Sequence, residues 1–507
     1  MIALTIPFLG GPLMTGSTFM SPGATSHRAK LRLLVVADLA PGSEGGPLRL
    51  TGDLGAAFAA LAPALSLNVP NRLGANTSGT REIPVSLRFD CLEAFSSDAI
   101  AAAIADRLPS PSAPPAPAAG ALDPLESLLA QVEVPALQGA LSPVDAQVAE
   151  IVQAEAFRAL EADWRGVDFL ARRAATLPDV EIEILAASKE AFLDAFFDTV
   201  FPAEHEGTSE VPLSAVVLGY DFDRGPADVE TLRNAARMGE SLRVPFLASV
   251  GAPFWGLKQA KLLAGLPDLV RKLQGPEYAK WNGLRSEETS LWLCLAANRI
   301  LLRPAHGATD RPLWGSGAYA LAAVLAQGFA AGGVAYPLTG DAARLADLPG
   351  EPAVEVPLPD AKAQELTRIG LAPLVSTRGE AAAQFPSVPT LHAPKRYVND
   401  EATRAAAVAA TLPYQAFAGA AAHALAALAR EIGGGLAPEE IKSRFETGLI
   451  AFLAGAEAAP APEEIEVELQ PDPEAPGFWE VMVRLRPKFQ ISGGEVDLVL
   501  GSSVVSA

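Results

Sequence analysis

Positive charge is scarce in this sequence and never clustered: 39 Lys and Arg stand against 59 Asp and Glu, a formal net charge of -20 over 507 residues. A nucleic-acid footprint needs a basic stripe to neutralise phosphates, so a general DNA- or RNA-binding role is excluded. Cysteine is scarcer still. Cys91 and Cys294 cannot build a disulfide framework or a cysteine-rich zinc site, and their apolar surroundings suit small hydrophobes. With five histidines in the chain, a histidine-rich metal centre is not expected either. Lys and Arg are missing from the first 26 residues, which removes the basic n-region of a secretory signal. Charge of either sign is short, at 19% of residues against about 25% in ordinary soluble domains.

Apolar surface is what the chain has in excess, with 50% hydrophobic residues and a mean hydropathy of +0.22. Such a chain either enters a membrane or buries much of itself against copies of itself. Residues 312–340 and 405–429 contain no Asp, Glu, Lys or Arg and could span a bilayer by length. Both are rich in alanine and glycine and carry Gln327, Pro413, Gln415 and His423, without the Leu/Ile/Phe density or basic flanks of a span. They are expected as buried or interface helices of a cytoplasmic, self-associating protein with no direct membrane insertion.

The length suggests two to four domains at about 100 to 200 residues each, and composition divides the chain. In residues 1–27, MIALTIPF alternates as a strand does, with Ile2, Leu4 and Ile6 on one side. The Gly/Pro/Ser/Thr/Met-rich stretch 9–27 that follows has a linker's composition. A lone strand must pair elsewhere. Nineteen linker residues reach about 60 Å fully extended and about 24 Å as a coil, enough to touch another subunit. Residues 28–108 read as a small α/β unit, built from LRLLVVADL (31–39), a helix in 54–65, the strand EIPVSLRFD (82–90), and the helix 96–108 capped by Ser96 or Ser97. PSPSAPPAPAAGALDP (109–124) is a proline–alanine linker. Residues 125–460 form a larger α/β unit with amphipathic helices near 143–163 and 225–240, a buried strand in 211–222 and an apolar segment at 244–250. Residues 461–507 are strands. Ile465, Val467 and Leu469, then Val481, Val483 and Leu485, then Val496, Leu498 and Leu500 alternate with polar residues, separated by turn segments. This predicts an antiparallel hairpin or meander with one apolar face. Beside the detached N-terminal strand it suggests strand exchange, the arm of one subunit completing a sheet on another. These twelve residues are therefore the expected inter-protomer strand contacts.

Chemistry is harder to find. Asp221 and Asp223 in GYDFDRG (219–225) follow an apolar strand, where a D-x-D can hold a divalent metal and a phosphate. Asp228, Glu230 and Arg224 lie nearby. The same residues also fit a turn into a helix, with Pro226 in the first turn and acids on the dipole. GAPFWGLK (251–258) has Leu257 where a phosphate loop needs lysine. WGSGAY (314–319) lacks the spacing of a nucleophile elbow. His205, His306, His392 and His423 are isolated, and WRGVDFL (164–170) suits a packing anchor. No catalytic, cofactor-binding or metal constellation emerges, so a non-enzyme is expected; the rival is a metal-dependent enzyme working through Asp221 and Asp223.

VPNRL (69–73), IPVSLRF (83–89) and FSSD (95–98) resemble the small subunit of the type VI secretion contractile sheath, with Ser97 in place of that pattern's proline. The blocks 148–170, 216–251, 276–304, 366–375, 395–425 and 481–490 resemble the large sheath subunit. In this order the chain looks like a natural fusion of the two, joined by the proline–alanine linker, and the resemblances cover about four-fifths of it. The resemblance implies a helical homopolymer around an inner tube protein, mounted on a baseplate, with an interlaced inter-subunit sheet and no catalytic residues. Its contraction would drive the tube through a target membrane. A phage-tail-like or extracellular contractile particle is the alternative within that class. Only PLESLLAQVEV (124–134) resembles the helix that a recycling unfoldase recognises in the family, which leaves that partner doubtful.

Overall fold

The computed structural model describes residues 30–42, 46–50, 54–73, 81–105, 142–305, 310–432, 435–454, 464–472 and 477–505. The described residues within 30–105, the first stretch of the chain, supply β1 (Leu31–Ala37), β2 (Leu48–Leu50), β3 (Ala64–Pro70) and β4 (Glu82–Arg88). The described residues within 142–454, the second stretch, supply β5 (Val180–Ala186), β6 (Ala215–Phe222), β7 (Phe246–Val250), β8 (Leu293–Ala297), β9 (Ile300–Arg303), β10 (Leu313–Gly315), β11 (Leu371–Pro373), β12 (Val375–Ser376) and β13 (Ala383–Gln384). The C-terminal strands are β14 (Ile465–Pro471), β15 (Phe478–Leu485) and β16 (Leu498–Val505).

Seven strands make the main sheet, in the order β11-β8-β7-β6-β1-β5-β2. All neighbours in it are parallel except β2 on β5. β1 therefore lies between β5 and β6, with Val35 opposite Ile184 on one side and Val217 on the other. A parallel sheet with both faces covered reads as a continuous apolar run, and LRLLVVA is one but for Arg32, which pairs with Glu183 and Glu204. Leu33 and Val35 pack with Trp164, Tyr319 and Leu321 of the helices Glu155–Ala174 and Gly317–Gly332. Leu34 and Val36 pack on the opposite face with Leu232 and Ala236 of the helix Pro226–Leu242 and with Phe192 and Phe196. The residues expected as a small unit and those expected as a large one thus share one sheet and one core.

The motifs of the first stretch are the fasteners. In VPNRL, Val69 is buried, Asn71 Oδ1 accepts the amide of Leu73 at 3.0 Å, and Arg72 pairs with Glu150. Gln147, fully buried in the helix Pro143–Val152, accepts the Arg72 amide at 2.8 Å and donates to the Pro70 carbonyl at 3.1 Å. In IPVSLRF, Val85, Leu87 and Phe89 point inward. Phe89 stacks on Phe95 at 4.1 Å and both meet Phe157 edge-on. Ser96 Oγ accepts the Ala99 amide at the start of the helix Ser97–Ala105, as a cap should. The helix expected over 143–163 is two helices, Pro143–Val152 and Glu155–Ala174, because Ala154 adopts extended ψ between them; no Gly or Pro marks that break.

One of the two charge-poor segments holds the only helix among the described residues long and apolar enough to cross a membrane, Gly317–Ala335, of mean hydropathy 1.5. It is packed inside the protein: Ala318 to Ala326 are all at most 1% exposed. Ser316 Oγ caps it by accepting the Ala318 amide, which is the structural role of WGSGAY.

Candidate functional site

The D-x-D at the end of β6 does not converge on a ligand. Asp223 Oδ1 accepts the Gly225 amide at 2.5 Å, and Asp228 Oδ2 accepts the Asp223 amide at 2.7 Å while pairing with Lys189. These bonds close the turn and start the helix at Pro226, with Asp228 in its first turn, where a carboxylate complements the dipole. Asp221 points elsewhere and pairs with Arg299. Arg224 donates to the Phe254 carbonyl at 3.0 Å. Among the described residues, no group of three or more His, Cys, Asp or Glu could hold a metal ion. His423 donates to the Leu242 carbonyl at 2.8 Å, and His392 Nδ1 lies 3.0 Å from the Glu287 carbonyl and 3.2 Å from Ser290 Oγ. Burial pushes both imidazoles below their ordinary pKa, so they are neutral structural groups at pH 7. His205 stacks on Phe201; His306 lies outside the described residues. Cys294 is buried, its thiol pushed up by burial and donating to the Pro389 carbonyl, and Cys91 is half-buried.

Numbered along the chain, the six parallel strands lie in the order 2-1-3-4-5-6. In such open sheets ligands occupy the crevice at the carboxyl ends of the strands where the order reverses, here between β1 and β6. That crevice is filled by the protein. Tyr319 lies so close over Gly166 and Gly219 that a Cβ at Gly166 would overlap its ring and one at Gly219 would fall 2.6 Å from its hydroxyl. Its hydroxyl donates to Asp163 Oδ1 at 3.3 Å. Asp38 and Asp221 are charged neighbours of Asp163, and desolvation first, then those carboxylates, push Asp163 up to about 8. Asp38 is pushed up as well, by burial and then Glu190. Trp164, next in the chain, is fully buried, stacks on Phe58 at 3.7 Å and donates to the Leu39 carbonyl at 2.9 Å. This cluster joins the first stretch to the second. The sequence signal that could have found it is Gly166, since glycine inside a helix costs about 1 kcal/mol and implies close packing.

The C-terminal strands form an antiparallel meander, β14-β15-β16, with Val467 opposite Val483 and Val483 opposite Leu500. Eight of the nine residues predicted there as inter-protomer contacts are at most 5% exposed, Leu469 being half-buried. Their side chains belong to the protomer's own core, with Phe417 and Leu425 of the helix Leu412–Ile432 and Phe445 and Leu449 of the helix Pro438–Leu453. Val496 lies before β16, not in it. The backbone edges of the outer strands β14 and β16 are what the sheet offers an incoming strand. Ile2, Leu4 and Ile6 lie outside the described residues.

The fold and its joints define an α/β protein whose conspicuous polar residues close turns, cap helices and tie two stretches of chain together. Residues 141–392 match the family VipB, described as EvpB/VC_A0108, tail sheath N-terminal domain. Over 440 residues the chain is 26% identical to the type VI secretion system sheath protein TssC1 of Pseudomonas aeruginosa, covering 75% of this chain and 88% of that protein. Among solved structures it resembles a chain of the contracted helical sheath of the anti-feeding prophage, with a TM-score of 0.42, 10% identity and coverage of 98% and 96% of the two chains. A chain of that particle's baseplate gives a TM-score of 0.39 at 10% identity, over 91% and 89%. The chain is a structural protomer of a contractile sheath.

Proposed function

We propose that this single chain does the work of both the small and the large sheath subunit. Residues 28–108 take the small-subunit role, 109–124 the linker, 125–460 the large-subunit role and 461–507 the strands of an inter-protomer sheet. The observation that carries this reading is β1, an interior strand between β5 and β6: a small-subunit-like segment completes the large-subunit-like sheet, so a covalent tether keeps the two at fixed stoichiometry. The protomers polymerise in the cytoplasm around an inner tube, mounted on a baseplate, and contract as a switch between two packings to drive the tube through a target membrane. No catalysis, cofactor, nucleic acid or membrane insertion enters this mechanism. The 1–8 strand pairs with a sheet edge of another protomer.

Electron microscopy of the purified or co-expressed chain tests it. Hollow striated tubes are the expected outcome, and discrete oligomers would refute it. Deleting residues 1–8 should abolish long tubes while leaving folded protomers; normal tubes from that variant would remove the strand-exchange element.

A further inference from the structure

Large apolar side chains exposed among the described residues are few: Phe197, Leu262, Tyr397, Val398, Phe478 and Met482. Four of the six occupy two surfaces of complementary character. We propose that the Tyr397–Val398 knob of one copy docks on the outer face of the C-terminal sheet, β14-β15-β16, of a second copy. The inference rests on the sheath-protomer reading and names a contact by which the polymer grows.

The knob is built to stay exposed. Val398 stands fully in solvent, and Tyr397 is 40% exposed. Thr403 Oγ1 holds them there, accepting the Tyr397 amide at 2.9 Å and donating to the Tyr397 carbonyl at 3.1 Å. Asn399 Oδ1 caps the next helix at the Glu401 amide. A loop so fixed loses little conformational freedom on binding. The receiving surface follows from strand alternation. Val481, Val483 and Leu485 point inward, so Phe478, Glu480 and Met482 lie on the outer face, beside Glu468 and Gln470 of β14. Phe478 is 36% and Met482 47% exposed.

Charge matches as well. Around the knob, Lys395 pairs with Glu288, Asp400 and Glu401 sit in the first turn of the helix Asp400–Ala409, and Arg396 has no ion pair among the described residues. On the sheet, Arg484 pairs with Asp497 and Arg486 with Glu466, leaving Glu468 and Glu480 likewise unpaired. The exposed Tyr397–Val398 knob beside Arg396 meets an outer face that carries Phe478 and Met482 with the carboxylates Glu468 and Glu480. Because the two surfaces differ, the contact is heterologous, and such contacts propagate into helical filaments when the rotation does not close.

The test uses the full-length chain. Val398→Asp and Arg396→Glu should each lower pelletable tubes at least tenfold with the protomer melting temperature unchanged, and Arg396→Glu combined with Glu480→Arg should restore them. In a mixture, Val398→Cys and Met482→Cys protomers should form an oxidised cross-linked dimer that neither forms alone. Tubes from Val398→Asp and Arg396→Glu at the wild-type level would overturn the contact while leaving the sheath reading intact. Loss of tubes without charge-swap rescue or cross-link would overturn the sheet as the receiving surface. Discrete oligomers from the wild-type chain would remove the sheath reading itself.

Discussion

Asp163 makes stability depend on alkaline pH, and the size of the effect follows from its position. Desolvation beneath Tyr319, with Asp38 and Asp221 nearby, raises its folded-state pKa from 3.8 to about 8. In the unfolded chain the group ionises near 3.8, so between these values the folded protein holds a proton that the unfolded one has released. The stabilisation is full below pH 3.8 and is lost as pH rises to about 8, at about 1.4 kcal/mol per unit. Between pH 7 and 9 the loss is about 1 to 1.5 kcal/mol, roughly a tenfold change in the folded-to-unfolded ratio. His392 and His423, lowered by burial, change protonation below this window, and Asp38, raised by burial, acts with the same sign as Asp163. Asp163→Asn keeps an oxygen that can accept from Tyr319 and removes the titration. Urea unfolding of the full-length protomer at pH 7, 8 and 9 should show the wild type losing stability with rising pH more steeply than the variant. In the variant the thiols of half-buried Cys91 and buried Cys294, raised by burial, still contribute near pH 9. Parallel curves for the two proteins would refute the reasoning.

Three further outcomes follow from packing. Trp164→Ala removes a fully buried ring stacked on Phe58 and its bond to the Leu39 carbonyl, and should cost about 3 to 5 kcal/mol in urea unfolding, with amide protection in β1 falling first in hydrogen exchange. Gly219→Ala would place a Cβ 2.6 Å from the Tyr319 hydroxyl and 2.9 Å from Ala37 Cβ, costing about 1 to 3 kcal/mol by overpacking; calorimetry should show partial rescue when Tyr319→Phe removes that hydroxyl. Val483→Ala, at a fully buried position, should lower protomer stability by about 2 kcal/mol, whereas a purely inter-protomer contact would leave the isolated protomer unchanged in thermal melting.

Legibility in the sequence tracked how local each signal was. The strict alternation of EIEVELQ, FWEVMVRLRP and EVDLVLG is a period-2 pattern within single segments, and it gave the C-terminal meander directly. The third strand, however, runs on to Val505, through GSS, residues that carry no apolar signal. Ser96 as a cap and the helix from Pro226 were visible because caps and first-turn prolines act over a few residues. Spacing admits both a metal site and a turn for Asp221 and Asp223, and favours the turn because Pro226 follows in a helix's first turn. Their partners separate the two, since Asp223 binds Gly225 two residues on while Asp221 reaches Arg299, 78 residues away.

Sequence alone determined the apolar excess, the excess of acidic over basic residues and the helix and strand periods. It also marked Leu31–Ala37 as a strand buried on both faces, because no residue in it but Arg32 is polar. Tertiary structure decided what flanks that strand. Its neighbours β5 and β6 begin near residues 180 and 215, and a parallel ladder leaves no local trace of its partner, since any apolar strand can accept its hydrogen bonds. Tertiary structure likewise decided that the side chains of the alternating C-terminal valines pack in the protomer's own core. Alternation fixes that one face is apolar; only packing against the helices Leu412–Ile432 and Pro438–Leu453 fixes what covers it.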